Sequence, residues 1–221
     1  MKILISGSSN GIGLEVSKRF LYLGFEVIGL DLLPSKINDE HYTHYVCDIK
    51  DLDSLPEINN INYIFNNAGL QNSNDDIDNN LKGNINITEK YAFNNDHLLG
   101  VLFNASASSI SGQEFPLYVA SKAGLVGYMK NVAIRLAPKG VLVNAISLGG
   151  VITDSNNIIL NDGEAFKKVM DVTPLKKWTS LEECADWVEF LLTKNKSMSG
   201  QNILIDNGEM SLNSTFVWPT K

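Results

Sequence analysis

Short apolar runs alternate with longer amphipathic segments from one end of the chain to the other. The runs are Ile3–Ser6, Val27–Asp31, Tyr42–Asp48, Tyr63–Asn67, Val101–Ala105, Val141–Ser147 and Asn202–Asp206. Several lack polar/apolar alternation, as expected of strands covered on both faces of a parallel sheet. Between them Ile12, Val16, Phe20 and Leu23 recur at spacings of three and four. Ala123, Val126, Met129, Ala133, Leu136 and Ala137 do the same, as do Ala185, Val188, Leu191 and Leu192. This alternation predicts an α/β fold: a doubly wound (Rossmann-type) parallel sheet of about seven strands, with right-handed crossovers placing helices on both faces. Two stretches are thin. Residues 50–62 hold at most a short helix around Asp51–Leu55. Residues 70–80 (LQNSNDDIDNN) are rich in Asn and Asp and read as loop or helix cap. The stretch 154–180 is long for a connection and reads as a lid or binding element.

Composition narrows the class. A chain of 221 residues, 44% hydrophobic and 19% charged, predicts one soluble globular domain over 1–221 that buries its core without staples. The net charge of −7 and pI of about 4.9, with no run of Lys or Arg, argue against nucleic acid and anionic membrane as partners. Cys47 and Cys184 lie far apart with no His pair nearby, so they read as small apolar fillers. His41, His44 and His97 stand away from the other motifs, and no metal is expected. The apolar start, Met1 to Ile5, is too short for a signal peptide, and no run reaches membrane-span length. A cytoplasmic enzyme is the expectation.

Chemistry enters directly after the first strand. Ser6-Gly7-Ser8-Ser9-Asn10-Gly11-Ile12-Gly13 precedes a helix. Glycines there let the backbone turn tightly and approach a pyrophosphate, while the helix N-terminus offers N–H groups and partial positive charge. The spacing is G-x-x-x-G-x-G, weak alone and stronger in its strand–glycine–helix–strand–acid context. The acid is Asp31, ending the second strand. Its carboxylate can accept from ribose hydroxyls and repel a 2′-phosphate, or it can be a plain solvated strand-end acid.

Tyr118 and Lys122 stand four residues apart in the second amphipathic segment, hence on one helix face. A free phenol, with a pKa near 10, exchanges protons poorly at neutral pH. A neighbouring ammonium stabilises the phenolate and corrects this. By itself such a pair is more often a surface pair.

Taken in order, these motifs resemble the short-chain dehydrogenase/reductase family over nearly the whole chain. The glycine turn has that family's spacing. Asp48-Ile49 resembles its adenine-contacting acid, and Asn66-Asn67-Ala68-Gly69 its N-N-A-G. Asn80-Leu81-Lys82-Gly83 resembles the segment with its helix-embedded Asn, and Tyr118…Lys122 its Y-x-x-x-K. Asn144 to Ser147, followed by Gly149-Gly150 and Thr153, resembles its N-x-x-x-P-G…T. Ser199-Gly200-Gln201 and Asp206-Asn207-Gly208 resemble its final strand.

The resemblance implies a hydride-transferring enzyme that uses NAD(H) in preference to NADP(H) on a small alcohol or carbonyl substrate. Tyr118 would exchange the proton. Lys122 would lower the Tyr118 pKa and hold the nicotinamide ribose, and Asn80 would anchor a water in a proton relay. The cofactor would be held by Gly7, Ser9, Asn10, Gly11, Ile12, Gly13, Asp31, Asp48, Ile49, Asn67, Ala68, Gly69, Tyr118 and Lys122. Gly150, Val151, Ile152 and Thr153 would hold its carboxamide. The family's N-x-S-S would place the catalytic serine at Ala107; a one-residue deletion makes it Ser106, with Ser108 a substitute. Leu148 stands where the family has Pro, removing a rigid φ. Trp178 is read as packing or pocket-lining, Phe115 and Ile110 as pocket walls, and Phe216-Val217-Trp218 as an inter-subunit contact of a homodimer or homotetramer. A non-catalytic dinucleotide-binding sensor or scaffold is the alternative.

Overall fold

The computed structural model describes residues 1–113, 115–210 and 212. Seven strands form one parallel sheet: β1 (Lys2–Ser6), β2 (Glu26–Asp31), β3 (Tyr42–Val46), β4 (Tyr63–Asn66), β5 (Gly100–Asn104), β6 (Leu142–Leu148) and β7 (Asn202–Ile205). Their order is β3-β2-β1-β4-β5-β6-β7. The winding reverses between β1 and β4, and in such sheets ligands bind at that switch, beyond the carboxyl ends of the strands. Every apolar run predicted as a strand is one, with ends shifted by a residue or two.

Alternate strand residues feed two cores. Leu4, Ile28, Ile64, Phe103 and Val143 face one side; Ile3, Ile5, Val27, Phe65 and Leu102 face the other. The second side is covered by α1 (Gly11–Tyr22), through Val16 and Phe20. The first is covered by α2 (Asn84–Tyr91), through Ile87 and Tyr91. A single-turn α3 (Ser108–Ser111) then leads into α4 (Pro116–Leu136), which lays Leu125, Met129, Val132 and Leu136 on that first side. Pro116 opens α4 at a position where no intrahelical N–H is needed.

The stretch 154–180 is not one loop. It holds a 3₁₀ turn (Asp154–Asn156), α5 (Asn157–Leu160) and α6 (Gly163–Val172), the last capped by the Asp162 carboxylate. A parallel bridge between Val151 and Thr179 closes its base. A capping box between Ser180 and Glu183 starts α7 (Leu181–Glu189), which adds Cys184, Ala185 and Val188 to the second core. Around Asp51–Leu55 the predicted short helix is a 3₁₀ turn, Leu52–Ser54.

One prediction needs correction. Residues 70–80 are not all loop: Ile77–Gly83 is π-helical and runs directly into α2. A fourfold polar series explains why no apolar stripe marked it. Asp76, Asn80, Asn84 and Thr88 are all 0% exposed, so this helix turns a polar face inward.

Candidate active site

The predicted site residues converge at the carboxyl edge of the sheet. Gly7 follows β1 with φ +69° and Gly11 opens α1 with φ +50°, backbone that L side chains resist. A Cβ on Gly13 would lie 2.0 Å from the Gly7 carbonyl oxygen, and one on Gly7 2.9 Å from the Ala68 Cα. These glycines are therefore fixed by close backbone approach. Asn10, the N-cap of α1, makes no side-chain bond to the helix. Its Oδ1 accepts instead from the Lys36 ammonium.

Asp31 closes the cradle from β2. Its Oδ2 accepts from the Ser9 N–H at 2.9 Å and its Oδ1 from the Leu33 N–H at 2.9 Å. Each oxygen keeps a lone pair for a hydroxyl. Asn67 braces the other side. Its Nδ2 donates to the Ser6 and Gly7 carbonyls at 3.0 and 3.2 Å, and its Oδ1 accepts from Asn104 Nδ2 at 2.9 Å. Ala68 donates its N–H to Ser6 Oγ at 3.0 Å. Asn67 thus ties three strand ends together.

Thr153 faces the cradle: a Cβ on Gly11 would be 3.8 Å from the Thr153 Cγ2. Between them lies a cleft of about 230 Å³ lined by Asn10, Gly11, Leu14, Ile152 and Thr153. A helix N-terminus without a side-chain cap, a tight glycine turn and a strand-end carboxylate suit the pyrophosphate and ribose of a dinucleotide. Asp48 bonds the Lys50 N–H, while the buried Ile49 packs where a Cβ on Gly83 would fall, 2.6 Å away.

Tyr118 and Lys122 lie beside the cradle on α4. Lys122 is buried, with its Nζ 5.7 Å from the Tyr118 ring centroid, and it donates to the Asn104 carbonyl at 2.7 Å. Burial lowers the Lys122 pKa to about 8, against a smaller opposing effect of the Asp76 carboxylate. Gly69 is the third wall: a Cβ there would sit 3.1 Å from Asn80 Oδ1 and 3.2 Å from Lys122 Nζ. Tyr118 is half-buried.

Asn80 is held fast. Its Oδ1 accepts from the Leu70 N–H at 2.6 Å, and its Nδ2 donates to the Leu70 carbonyl at 2.8 Å and to Ser121 Oγ at 3.1 Å. Its own carbonyl accepts from Asn84 Nδ2 at 2.7 Å. Ser106 is buried after β5, and its Oγ accepts from Ser108 Oγ at 2.8 Å and from the Ser108 N–H at 3.2 Å. Its hydroxyl hydrogen remains for another acceptor. Phe115 and Ile110 are exposed at the rim.

Gly149 and Gly150 follow β6. Leu148, standing where the family has Pro, pairs with Ile205 and prolongs β6. Trp178 is a buried packing residue set against this turn: a Cβ on Gly150 would fall 1.9 Å from its Nε1. Phe166 of α6 meets its ring edge-on at 5.5 Å. Phe216-Val217-Trp218 lies outside the described residues. Among those described, no His/Cys/Asp/Glu cluster could hold a metal ion, and no helix is long and apolar enough to cross a membrane. Sequence reading missed Asp76, Ser121 and Asn104 as members of the site. Asp76 lies on the inward polar face of a helix, Ser121 beside Lys122 on α4 and Asn104 at the end of β5, and no single position among them announces a site.

Comparison with known proteins agrees with this geometry. A family model described as Enoyl-(Acyl carrier protein) reductase matches residues 7–209. The 3-oxoacyl-(acyl-carrier-protein) reductase FabG of Buchnera aphidicola is 27% identical over 234 residues, spanning 93% of this chain and 95% of that protein. The solved structure of 4-hydroxyisoleucine dehydrogenase complexed with NADH has a TM-score of 0.85 at 22% identity, over 96% of this chain and 99% of that one. A provisionally named 2-deoxy-d-gluconate 3-dehydrogenase from Agrobacterium tumefaciens, with bound NADP, has a TM-score of 0.86 at 24% identity, over 96% of each chain. At these identities the solved structures show a shared fold. The family match runs from the glycine cradle through the pair on α4 to β7, and the chain belongs to the short-chain dehydrogenase/reductase family of oxidoreductases.

Proposed function

We propose that this oxidoreductase moves a hydride between NAD(H) and a small alcohol or carbonyl substrate, with Tyr118 as the proton donor and acceptor. The observation carrying this reading is the buried Lys122 ammonium, one helical turn from Tyr118 with its Nζ 5.7 Å from the ring centroid. A positive charge there stabilises the phenolate and brings proton exchange toward neutral pH. NAD(H), when bound, supplies the hydride chemistry. The chain supplies position and proton: the cradle and Asp31 fix the dinucleotide, Lys122 orients the ribose, and Ser106 donates its hydroxyl hydrogen to the substrate oxygen. Gly150, Val151, Ile152 and Thr153 would hold the carboxamide of the nicotinamide.

Burying a lysine is costly, and holding a ribose makes no use of a phenol set against it, whereas Lys122 lies one helical turn from the Tyr118 ring. That favours turnover over a sensor or scaffold. NAD(H) is preferred over NADP(H) because the Asp31 carboxylate, fixed by two backbone N–H groups, repels a 2′-phosphate. In the assembled enzyme, exposed apolar residues of α4 such as Leu117 and Ile134 suit a two-fold contact in a homodimer or homotetramer.

Turnover on a panel of small ketones and alcohols, with each cofactor in turn, tests the reading. We expect NADH-dependent reduction and tighter binding of NADH than NADPH. In Asp31→Ala the NADH dissociation constant should rise about tenfold, a loss of ~1.4 kcal/mol, and the gap to NADPH should narrow. Tighter binding of NADPH by the wild type would contradict the cofactor assignment.

A further inference from the structure

The polar face of the Ile77–Tyr91 helical segment holds a carboxylate that the proposed chemistry does not use. Asp76 is 0% exposed. Its Oδ1 accepts from the Ser73 N–H at 3.2 Å, closing the turn before the helix. Its Oδ2 is buried with no hydrogen-bond partner. A capping role needs only one oxygen and no burial, so it leaves the second oxygen unexplained. A buried, unpartnered carboxylate oxygen is costly unless a positive charge offsets it.

Lys122 is such a charge. Among the described residues its hydrogen bond goes to a neutral carbonyl, that of Asn104. Asn80, the next residue on the polar face after Asp76, shares with Lys122 Nζ the space around Gly69. From its own helix, Lys122 faces Tyr118; from the helix opposite, the charge acting on it is Asp76. The other charged groups of that region are engaged at the surface: Lys50 with Asp48 and Asp75, and Lys82 with Asp78.

We propose that Asp76 is a positioning residue: the counter-charge that keeps Lys122 an ammonium, and so sets the pH range over which Tyr118 can exchange its proton. The functional half of this inference rests on the reading of Tyr118 and Lys122 given above; the Asp76–Lys122 coupling does not. Burial by itself lowers the Lys122 pKa, and the Asp76 charge works against that fall. Without it, Lys122 would lose its proton at lower pH, and the phenolate would lose its stabilising partner over the same range.

The direct test is a side-chain NMR titration of Lys122 in the cofactor-free protein, with the resonance assigned from Lys122→Met. The expected midpoint is near 8 in the wild type. It should fall by about one pH unit or more in Asp76→Asn and return in Asp76→Glu. If Asp76→Asn gives no dispersed spectrum, the smaller neutral Asp76→Ser replaces it. A midpoint that stays put when the charge is removed from a folded protein overturns the proposal.

In turnover, the alkaline limb of carbonyl reduction should move down by the same interval. A structural role would lower the rate evenly across pH and leave the limb in place. The two readings fail separately. Loss of activity in Tyr118→Phe with an unmoved Lys122 midpoint sinks only the Asp76 inference. A moved midpoint with full activity in Tyr118→Phe sinks the reading of the pair.

Discussion

An ammonium on Lys122 sits in the protein interior with a carbonyl as its hydrogen-bond partner, and this has a consequence for stability as well as for chemistry. Its pKa falls from the ordinary 10.5 to about 8 because burial disfavours the charged form. Between these values the unfolded chain binds a proton that the folded chain has released. Stability from this group therefore rises as pH climbs from about 8 to 10.5, and the cost of the buried charge is full below 8. The shift corresponds to a cost on the order of 3 kcal/mol. We predict that denaturant unfolding of the wild type shows this rise, whereas Lys122→Met lacks it and has no turnover. Parallel stability curves for the two proteins between pH 7 and 10.5 would refute the assigned burden. The residue scale also explains Asn67 and Asn80. Each uses its amide to tie loop backbone to a neighbouring element, which places Gly7 and Gly69 where small atoms are required.

At the scale of elements, the turn after β6 depends on α6 and the strand bridge beside it. Trp178 occupies the volume that a side chain on Gly150 would fill, and Phe166 supports its ring. Gly150→Ala should push Trp178 out of place, change its fluorescence, and weaken NADH binding about tenfold with a cost of ~1–3 kcal/mol in stability. Unchanged fluorescence and affinity would show that this packing does not shape the site. Ile3–Ser6, Tyr63–Asn67 and Val101–Ala105 are legible as strands because burial on both faces leaves uninterrupted apolar runs. Ile77–Tyr91 is not legible, because it spends its inward face on Asp76, Asn80, Asn84 and Thr88 and begins with π-helical spacing. Both features defeat a search for apolar periodicity at 3.6 residues. Likewise, α5 and α6 sit within a stretch whose length alone suggested a binding loop.

Across the whole molecule, a parallel sheet wound in opposite directions from β1 and β4 brings the ends of β1, β2, β4, β5 and β6 to one edge. Residues as distant in the chain as Gly7, Asp31, Asn67, Ser106, Lys122 and Thr153 meet there. Their order is visible in the sequence because Gly7, Asp31, Asn67 and Ser106 stand at or just after a strand end, with Lys122 following on α4 and Thr153 after the Gly149-Gly150 turn. The contacts among them were not, since Asn104 reaching Asn67, Lys122 reaching Asn104 and Trp178 covering Gly150 depend on tertiary packing. We propose that this convergence serves proton transfer by Tyr118 beside a bound nicotinamide. The most direct measurement is single-turnover NADH oxidation at saturating ketone, in the wild type and in Tyr118→Phe, with the NADH dissociation constant measured alongside. We expect a rate lower by about 100-fold or more in Tyr118→Phe and a dissociation constant changed by less than about threefold. Equal rates in the two proteins would contradict it.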